Sequence, residues 1–153
     1  MDESKKIDVV YLNKPFEPFE GFFYGDKVEH IRIEEIEVVK EFRFEAAHRL
    51  PEYDGPCGEV HGHSYKLFIG AKGRIKKNGM VCDFSTLKKT IEEEVITKLD
   101  HKYLNEIKEA NFPFKCPTAE NMVLWIKDVL DSNFYSFIRL YETQTSYAEW
   151  RRE

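Results

Sequence analysis

The feature that most limits how this chain can fold is a pair of period-two patterns that run into histidines. Side chains two apart on a strand share a face. A strand from Ile31 to Ala47 therefore places Phe42, Phe44, Ala46 and, at its end, His48 together. A strand from His61 to Ile75 carries His61, His63, Tyr65, Leu67, Ile69 and Ala71 on one face. His61 and His63 project side by side, as imidazoles do when they share a metal ion, and His48 is a third. Three neutral imidazoles on zinc leave one coordination position open, which is the catalytic rather than the structural arrangement. The competing reading is ordinary surface or hydrogen-bonded core histidines. Against it, four of the five histidines fall between positions 48 and 101, and Cys57 lies four residues before His61.

A length of 153 residues suits one domain with a single core. Hydrophobic residues at 42% exclude a disordered composition, and a net charge of −5 argues against a general nucleic-acid binder. No apolar run reaches the roughly 18 residues of a membrane span. The segment Met1-Asp2-Glu3-Ser4-Lys5-Lys6 lacks the basic-then-apolar pattern of a signal peptide. Three cysteines without framework spacing read as reduced thiols, so a cytoplasmic setting is expected.

Along the chain, Ile7–Leu12 reads as a short strand and Pro15–Gly25, rich in aromatics, prolines and glycines, as a loop packed on something. Lys76-Lys77-Asn78-Gly79 is a turn signal. Asp83 is the expected N-cap of a helix whose Leu87, Ile91, Val95 and Leu99 form an apolar stripe. That helix ends near Leu99-Asp100-His101. Thr118 is the expected N-cap of a second helix, which buries Met122, Trp125, Ile126, Val129 and Leu130. Alternation returns over Tyr135–Glu142, and Thr145–Trp150 pairs with it. Strand, strand, helix, helix, strand, strand predicts an α+β domain: a four-stranded antiparallel sheet with two helices on one face. Its bare face and open edges predict a homo-oligomer whose subunits join edge to edge into a barrel.

Several side chains have chemistry available to them. Cys57, between a Gly-Pro turn and the histidine strand, reads either as a base or nucleophile of lowered pKa or as a small buried hydrophobe. Asp100 next to His101 reads either as a proton-transfer pair or as a helix C-terminal histidine held by the dipole. Glu142 reads either as a bidentate acceptor for a guanine-like or pterin-like heterocycle or as an exposed strand-end carboxylate.

Taken in order, Phe44-Glu45-Ala46-Ala47-His48-Arg49-Leu50, Cys57-Gly58-Glu59-Val60-His61-Gly62-His63-Ser64-Tyr65, Met80-Val81-Cys82-Asp83-Phe84, Leu99-Asp100-His101-Lys102-Tyr103-Leu104-Asn105, Pro117-Thr118-Ala119-Glu120-Asn121 and Tyr141-Glu142-Thr143 form a pattern. With them the chain resembles the 6-pyruvoyltetrahydropterin synthase / 6-carboxytetrahydropterin synthase family over residues 39–152. The resemblance implies the tunnelling fold, with three subunits closing a barrel, two barrels stacked into a hexamer, and active sites between subunits. It implies His48, His61 and His63 as Zn2+ ligands. Cys57 would be the general base or acid, Asp100 with His101 a second proton-transfer pair, and Glu142 the pterin anchor, helped by Thr118. The implied substrate is 7,8-dihydroneopterin triphosphate, with no nucleic-acid or membrane partner. Arg49 is a candidate for holding the triphosphate. The short Cys57–His61 spacing resembles the members that make 6-carboxytetrahydropterin and release acetaldehyde, on the route to queuosine or archaeosine. Glu59 keeps a second product in view, because some members use a glutamate in this loop and form 6-hydroxymethyldihydropterin. A pyruvoyl product and a pterin-binding scaffold without turnover also stay open. On this reading residues 1–38 are an N-terminal extension and 39–153 the pterin synthase-like domain.

Overall fold

A computed structural model describes residues 10–11, 20–24, 27–31 and 34–153. Ile7–Val9 and Leu12 of the first expected strand, and Pro15–Phe19 of the expected aromatic loop, lie outside the described residues. The chain divides into two compact units, Met1–Ile36 with Gly73–Val81, and Glu37–Lys72 with Cys82–Glu153.

In the first unit, strands β1 (Val10–Tyr11), β2 (Glu20–Tyr24) and β3 (Lys27–Ile31) pair antiparallel in that order. The loop expected through Gly25 is thus corrected over Glu20–Tyr24. The run Phe22-Phe23-Tyr24 has the aromatic content that strands favour, and it outweighs the flanking glycines. Ile31 ends β3 rather than opening the strand that leads to His48. In the same unit the expected turn forms: the Gly79 N–H donates to the Lys76 carbonyl at 2.8 Å. Gly79 takes φ +80, a conformation that glycine adopts without penalty.

The second unit is built on a five-stranded sheet in the order β6-β4-β5-β7-β8: β4 (Glu35–His48), β5 (His61–Arg74), β6 (Lys102–Tyr103), β7 (Tyr135–Tyr141) and β8 (Tyr147–Arg151). Two features correct the expected four antiparallel strands. There are five strands, and β6 runs parallel to β4, with Ala46 opposite Lys102 and Ala47 opposite Tyr103. β6 forms because Asp100 has already docked the chain on β4. The Glu45 N–H donates to Asp100 Oδ1 at 2.9 Å, and the His101 N–H donates to the Glu45 carbonyl at 2.6 Å. β4 neighbours β5 on its other side, and the pairings of β5 with β7 and of β7 with β8 are antiparallel, with Leu67 opposite Leu140 and Ile69 opposite Ile138.

Helix α1 (Phe84–Ile91) starts at Asp83, whose Oδ1 accepts from the Ser85 N–H at 2.8 Å, as an N-cap should. It continues through a π-helical turn, Glu92–Ile96, into α2 (Thr97–Leu99). Leu87, Ile91, Val95 and Leu99 are buried along it, so the expected stripe is the core-facing one. Helix α3 (Ala119–Val129) starts at Thr118, whose Oγ1 accepts from the Asn121 N–H. It buries Met122, Val123, Trp125 and Ile126, and Leu130 after it. Val129 is only half-buried, and Val123 takes a core position in addition to the expected face. These faces meet Phe42, Phe44, Ala46, Tyr65, Leu67, Ile69, Ile138 and Leu140 of the sheet in one core. Each fully buried side chain of this size contributes about 1.5–3 kcal/mol. Among the described residues no helix is long and apolar enough to cross a membrane.

Candidate metal centre and active site

The core-facing side of the sheet ends in imidazoles. His48, the last residue of β4, is 1% exposed. Its Nδ1 lies 2.8 Å from the Pro117 carbonyl, just before the cap of α3. A carbonyl only accepts, so Nδ1 carries the hydrogen and Nε2 presents a lone pair. His61 repeats the arrangement, with Nδ1 2.8 Å from the Glu59 carbonyl. The two Nε2 atoms face each other at 3.1 Å. Two lone pairs at that distance repel unless a proton or a cation lies between them. His63 Nε2 is buried without a hydrogen-bond partner among the described residues. The ligand atoms of all three lie within 4.8 Å of one another. This donor set fits a metal ion: three imidazoles converge, and the back nitrogens of His48 and His61 are each held by a carbonyl. Burial lowers the pKa of His63, opposed by the Glu142 charge, while His48 and His61 lower it further. The net effect keeps the ring in the unprotonated form that binds metal.

Other clamps hold this geometry. Asn105 grips the residue after His48 twice, its Oδ1 accepting from the Arg49 N–H at 2.9 Å and its Nδ2 donating to the Arg49 carbonyl at 3.0 Å. Glu142 follows β7 in the turn to β8. Thr143 Oγ1 accepts from the Ser146 N–H at 3.1 Å, and the Glu142 N–H donates to the Ser146 carbonyl at 3.1 Å. The turn aims Glu142 at the histidines, with Oε1 3.4 Å from His48 Nε2 and 3.8 Å from His63 Nε2. Its carboxylate therefore adds negative charge to the cluster while remaining 29% exposed.

Cys57 is half-buried in a short 3-10 turn, Pro56–Gly58. Its carbonyl accepts from the Leu50 N–H at 2.8 Å, which ties the loop back towards the end of β4. Gly58 is required there, because a Cβ would come within 2.7 Å of the Tyr53 carbonyl oxygen. The Glu59 side chain is exposed; its backbone carbonyl is what orients His61.

Asp100 and His101 pair with each other, Asp100 Oδ1 lying 2.9 Å from His101 Nδ1. The Glu45 N–H, first, and then His101 hold the Asp100 carboxyl below its ordinary value. His101 takes φ 57, a left-handed conformation unusual for a side chain other than glycine. Its ring is 78% exposed. It borders a cleft with Glu45, Ala47, Ser64 and Tyr103, which His63 also reaches. No hydrogen bond or ion pair among the described residues joins this pair to the three histidines. Thr118, besides capping α3, lines a cavity of about 790 Å³ with Arg49, Tyr53, Tyr103, Phe114 and Lys115.

The structure thus brings His48, His61, His63 and Glu142 together, while Asp100–His101 make no hydrogen bond or ion pair to them among the described residues and share with His63 only the lining of one cleft. Sequence reasoning missed the carbonyls of Pro117 and Glu59, and also Tyr65. Tyr65 is completely buried, and its hydroxyl pKa is raised, first by burial and then by the Glu142 charge. The sequence signal was available for Tyr65, which continues the histidine face.

A family model described as 6-pyruvoyl tetrahydropterin synthase matches residues 37–153. A 6-carboxy-5,6,7,8-tetrahydropterin synthase of Synechocystis is 41% identical over 95 residues, 58% of this chain and 70% of that protein. A dihydroneopterin monophosphate aldolase of Pyrococcus furiosus is 37% identical over 99 residues, 63% and 76% of the two chains. The solved structure of Caenorhabditis elegans 6-pyruvoyl tetrahydropterin synthase superposes with a TM-score of 0.68 at 26% identity, over 80% of this chain and 99% of that one.

Proposed function

The chain belongs to the 6-pyruvoyl tetrahydropterin synthase family, and from that premise we propose that it is a zinc-dependent lyase. It converts 7,8-dihydroneopterin triphosphate and water to 6-carboxy-5,6,7,8-tetrahydropterin, acetaldehyde and triphosphate. The observation that carries the reading is the convergence of three histidine ring nitrogens beside a carboxylate. The Synechocystis relative, named for that product, supports it.

His48, His61 and His63 would hold the zinc ion, which would supply Lewis-acid polarisation of the substrate's side-chain oxygens. The chain's own residues do the rest. Cys57, fixed by the Pro56–Gly58 turn, takes a proton from the side-chain carbon. His101, kept in its tautomer by ionised Asp100, returns one. Since no hydrogen bond or ion pair among the described residues joins the pair to the histidines of its own chain, on this reading it serves the site of a neighbouring subunit in a barrel-forming oligomer. Glu142 accepts from donors on the substrate, Thr118 helps seat the heterocycle, and Arg49 holds the phosphates.

A second reading, side-chain cleavage to a hydroxymethyl pterin, is favoured by the Pyrococcus relative, named an aldolase. The zinc-loaded protein incubated with 7,8-dihydroneopterin triphosphate and followed by mass spectrometry separates the two. 6-Carboxytetrahydropterin with acetaldehyde is the expected result; a hydroxymethyl or pyruvoyl product overturns it.

A further inference from the structure

The end of β4 is held by a side chain where its strand partner stops. β6 pairs with β4 through Ala46 opposite Lys102 and Ala47 opposite Tyr103. The chain then turns off into a 3-10 turn, Leu104–Glu106, pinned in the core by the fully buried Leu104. Backbone pairing ends there, yet the ladder gains another rung. In the same register Asn105 falls opposite Arg49, and its side-chain amide supplies the acceptor and the donor that a partner strand would supply. Oδ1 accepts from the Arg49 N–H at 2.9 Å, and Nδ2 donates to the Arg49 carbonyl at 3.0 Å. His48 thus lies between two fixed rungs, one at Ala47 and one at Arg49. The next peptide is fixed as well, because the Leu50 N–H donates to the Cys57 carbonyl at 2.8 Å. Stability alone does not call for this amide. Arg49 is exposed, so water would satisfy its N–H and carbonyl in place of Asn105. Water would not fix the direction of the chain.

We infer that Asn105 is a positioning residue for the metal centre. Its amide sets the direction in which the chain leaves β4, and so places the His48 imidazole on one side and the Cys57 loop on the other. Groups that orient a metal ligand in this way govern how well the ligand binds. The requirement is chemical: one short planar group must both donate and accept. Aspartate keeps the acceptor for the Arg49 N–H but has no hydrogen for the carbonyl, and alanine keeps neither. The metal's identity as zinc rests on the function proposed above; the two bonds to Arg49 do not.

The test compares the full-length wild type with Asn105→Ala, Asn105→Asp and Asp83→Ala. The last loses the N-cap of α1 and serves as a destabilised control. Zinc affinity is read by competition with a chelator, and ligand geometry by the visible spectrum of the Co2+-loaded protein. Asn105→Ala is expected to bind zinc about 10–100-fold more weakly and to shift the Co2+ spectrum. Asn105→Asp, which keeps the shape of the side chain, is expected to weaken zinc binding too, and it decides the matter if the alanine variant does not fold. Asp83→Ala is expected to melt lower with wild-type zinc affinity and spectrum. Wild-type affinity and spectrum in the Asn105 variants, or the same changes in Asp83→Ala, overturn the inference. If the wild type takes up neither metal, the proposed function fails, and amide hydrogen exchange of the metal-free proteins decides the positioning. A Leu50 N–H that exchanges about tenfold faster in Asn105→Ala, with Leu67 of β5 unchanged, supports it. Unchanged exchange at Leu50 overturns it.

Discussion

The three histidines and the Asp100–His101 pair are both imidazole sites at strand ends of the same sheet, yet they are built in opposite ways. In the trio His48 is sunk into the core and His61 and His63 are half-buried beside it, with the back nitrogens of His48 and His61 tied to the Pro117 and Glu59 carbonyls. The pair projects towards solvent on a left-handed residue, held by the β4 backbone, the Ile96 carbonyl and its own carboxylate. Burial and fixed carbonyls make a site that can hold a cation without help. An exposed, strained imidazole is suited to handing over a proton to something that arrives. Strain of this kind persists where surrounding contacts enforce it, and here the Glu45 peptide does so.

Removing a member of the trio should have the largest effect. His48→Ala is expected to lose bound metal and, in the metal-free protein, about 2–5 kcal/mol of stability from the vacated core, as read by metal analysis and denaturant melts. It also leaves the Pro117 carbonyl without its donor. Cys57→Ala should keep metal and melting point while turnover falls by about 10²–10⁴-fold, measured as product formed; unchanged turnover would move the proton-abstraction role to Glu59. His101→Gly should lose turnover by a similar factor but melt at the same temperature or about 2–4 °C higher, because glycine accepts φ 57 without strain. A clear drop in melting temperature would show that the exposed pair is structural after all. The smallest effect is on the acid limb of stability. Asp100 has a lowered folded-state pKa, so its contribution is complete above the unfolded value of 3.8 and is lost as pH falls through the lower folded value. Asp100→Asn should flatten stability against pH in that acid window and reduce stability slightly at neutral pH, as read by denaturant melts across the range.

Legibility in the sequence followed the same divide. The trio could be read because strand alternation puts i and i+2 on one face, and both helices could be read from their caps and stripes. Neither the Pro117 contact, 69 residues from His48, nor the aim of Glu142 has a local signature. The first depends on where α3 starts in space, and the second on the turn closed by Thr143 and Ser146. β6 escaped because two residues cannot show a period, and its pairing is made by the Asp100 side chain rather than by its own pattern. Glu20–Tyr24 escaped because glycine and proline around a strand read as loop. The Tyr65 hydroxyl escaped because a tyrosine on a core-facing strand position reads as packing.

The most direct test is the metal content of purified protein after zinc loading and desalting, compared between the wild type, His63→Ala and His101→Ala. One zinc per chain is expected in the wild type and in His101→Ala, and none retained in His63→Ala. Stoichiometric zinc in His63→Ala, or its loss in His101→Ala, would contradict the division between a metal centre at the three histidines and an exposed proton-transfer pair.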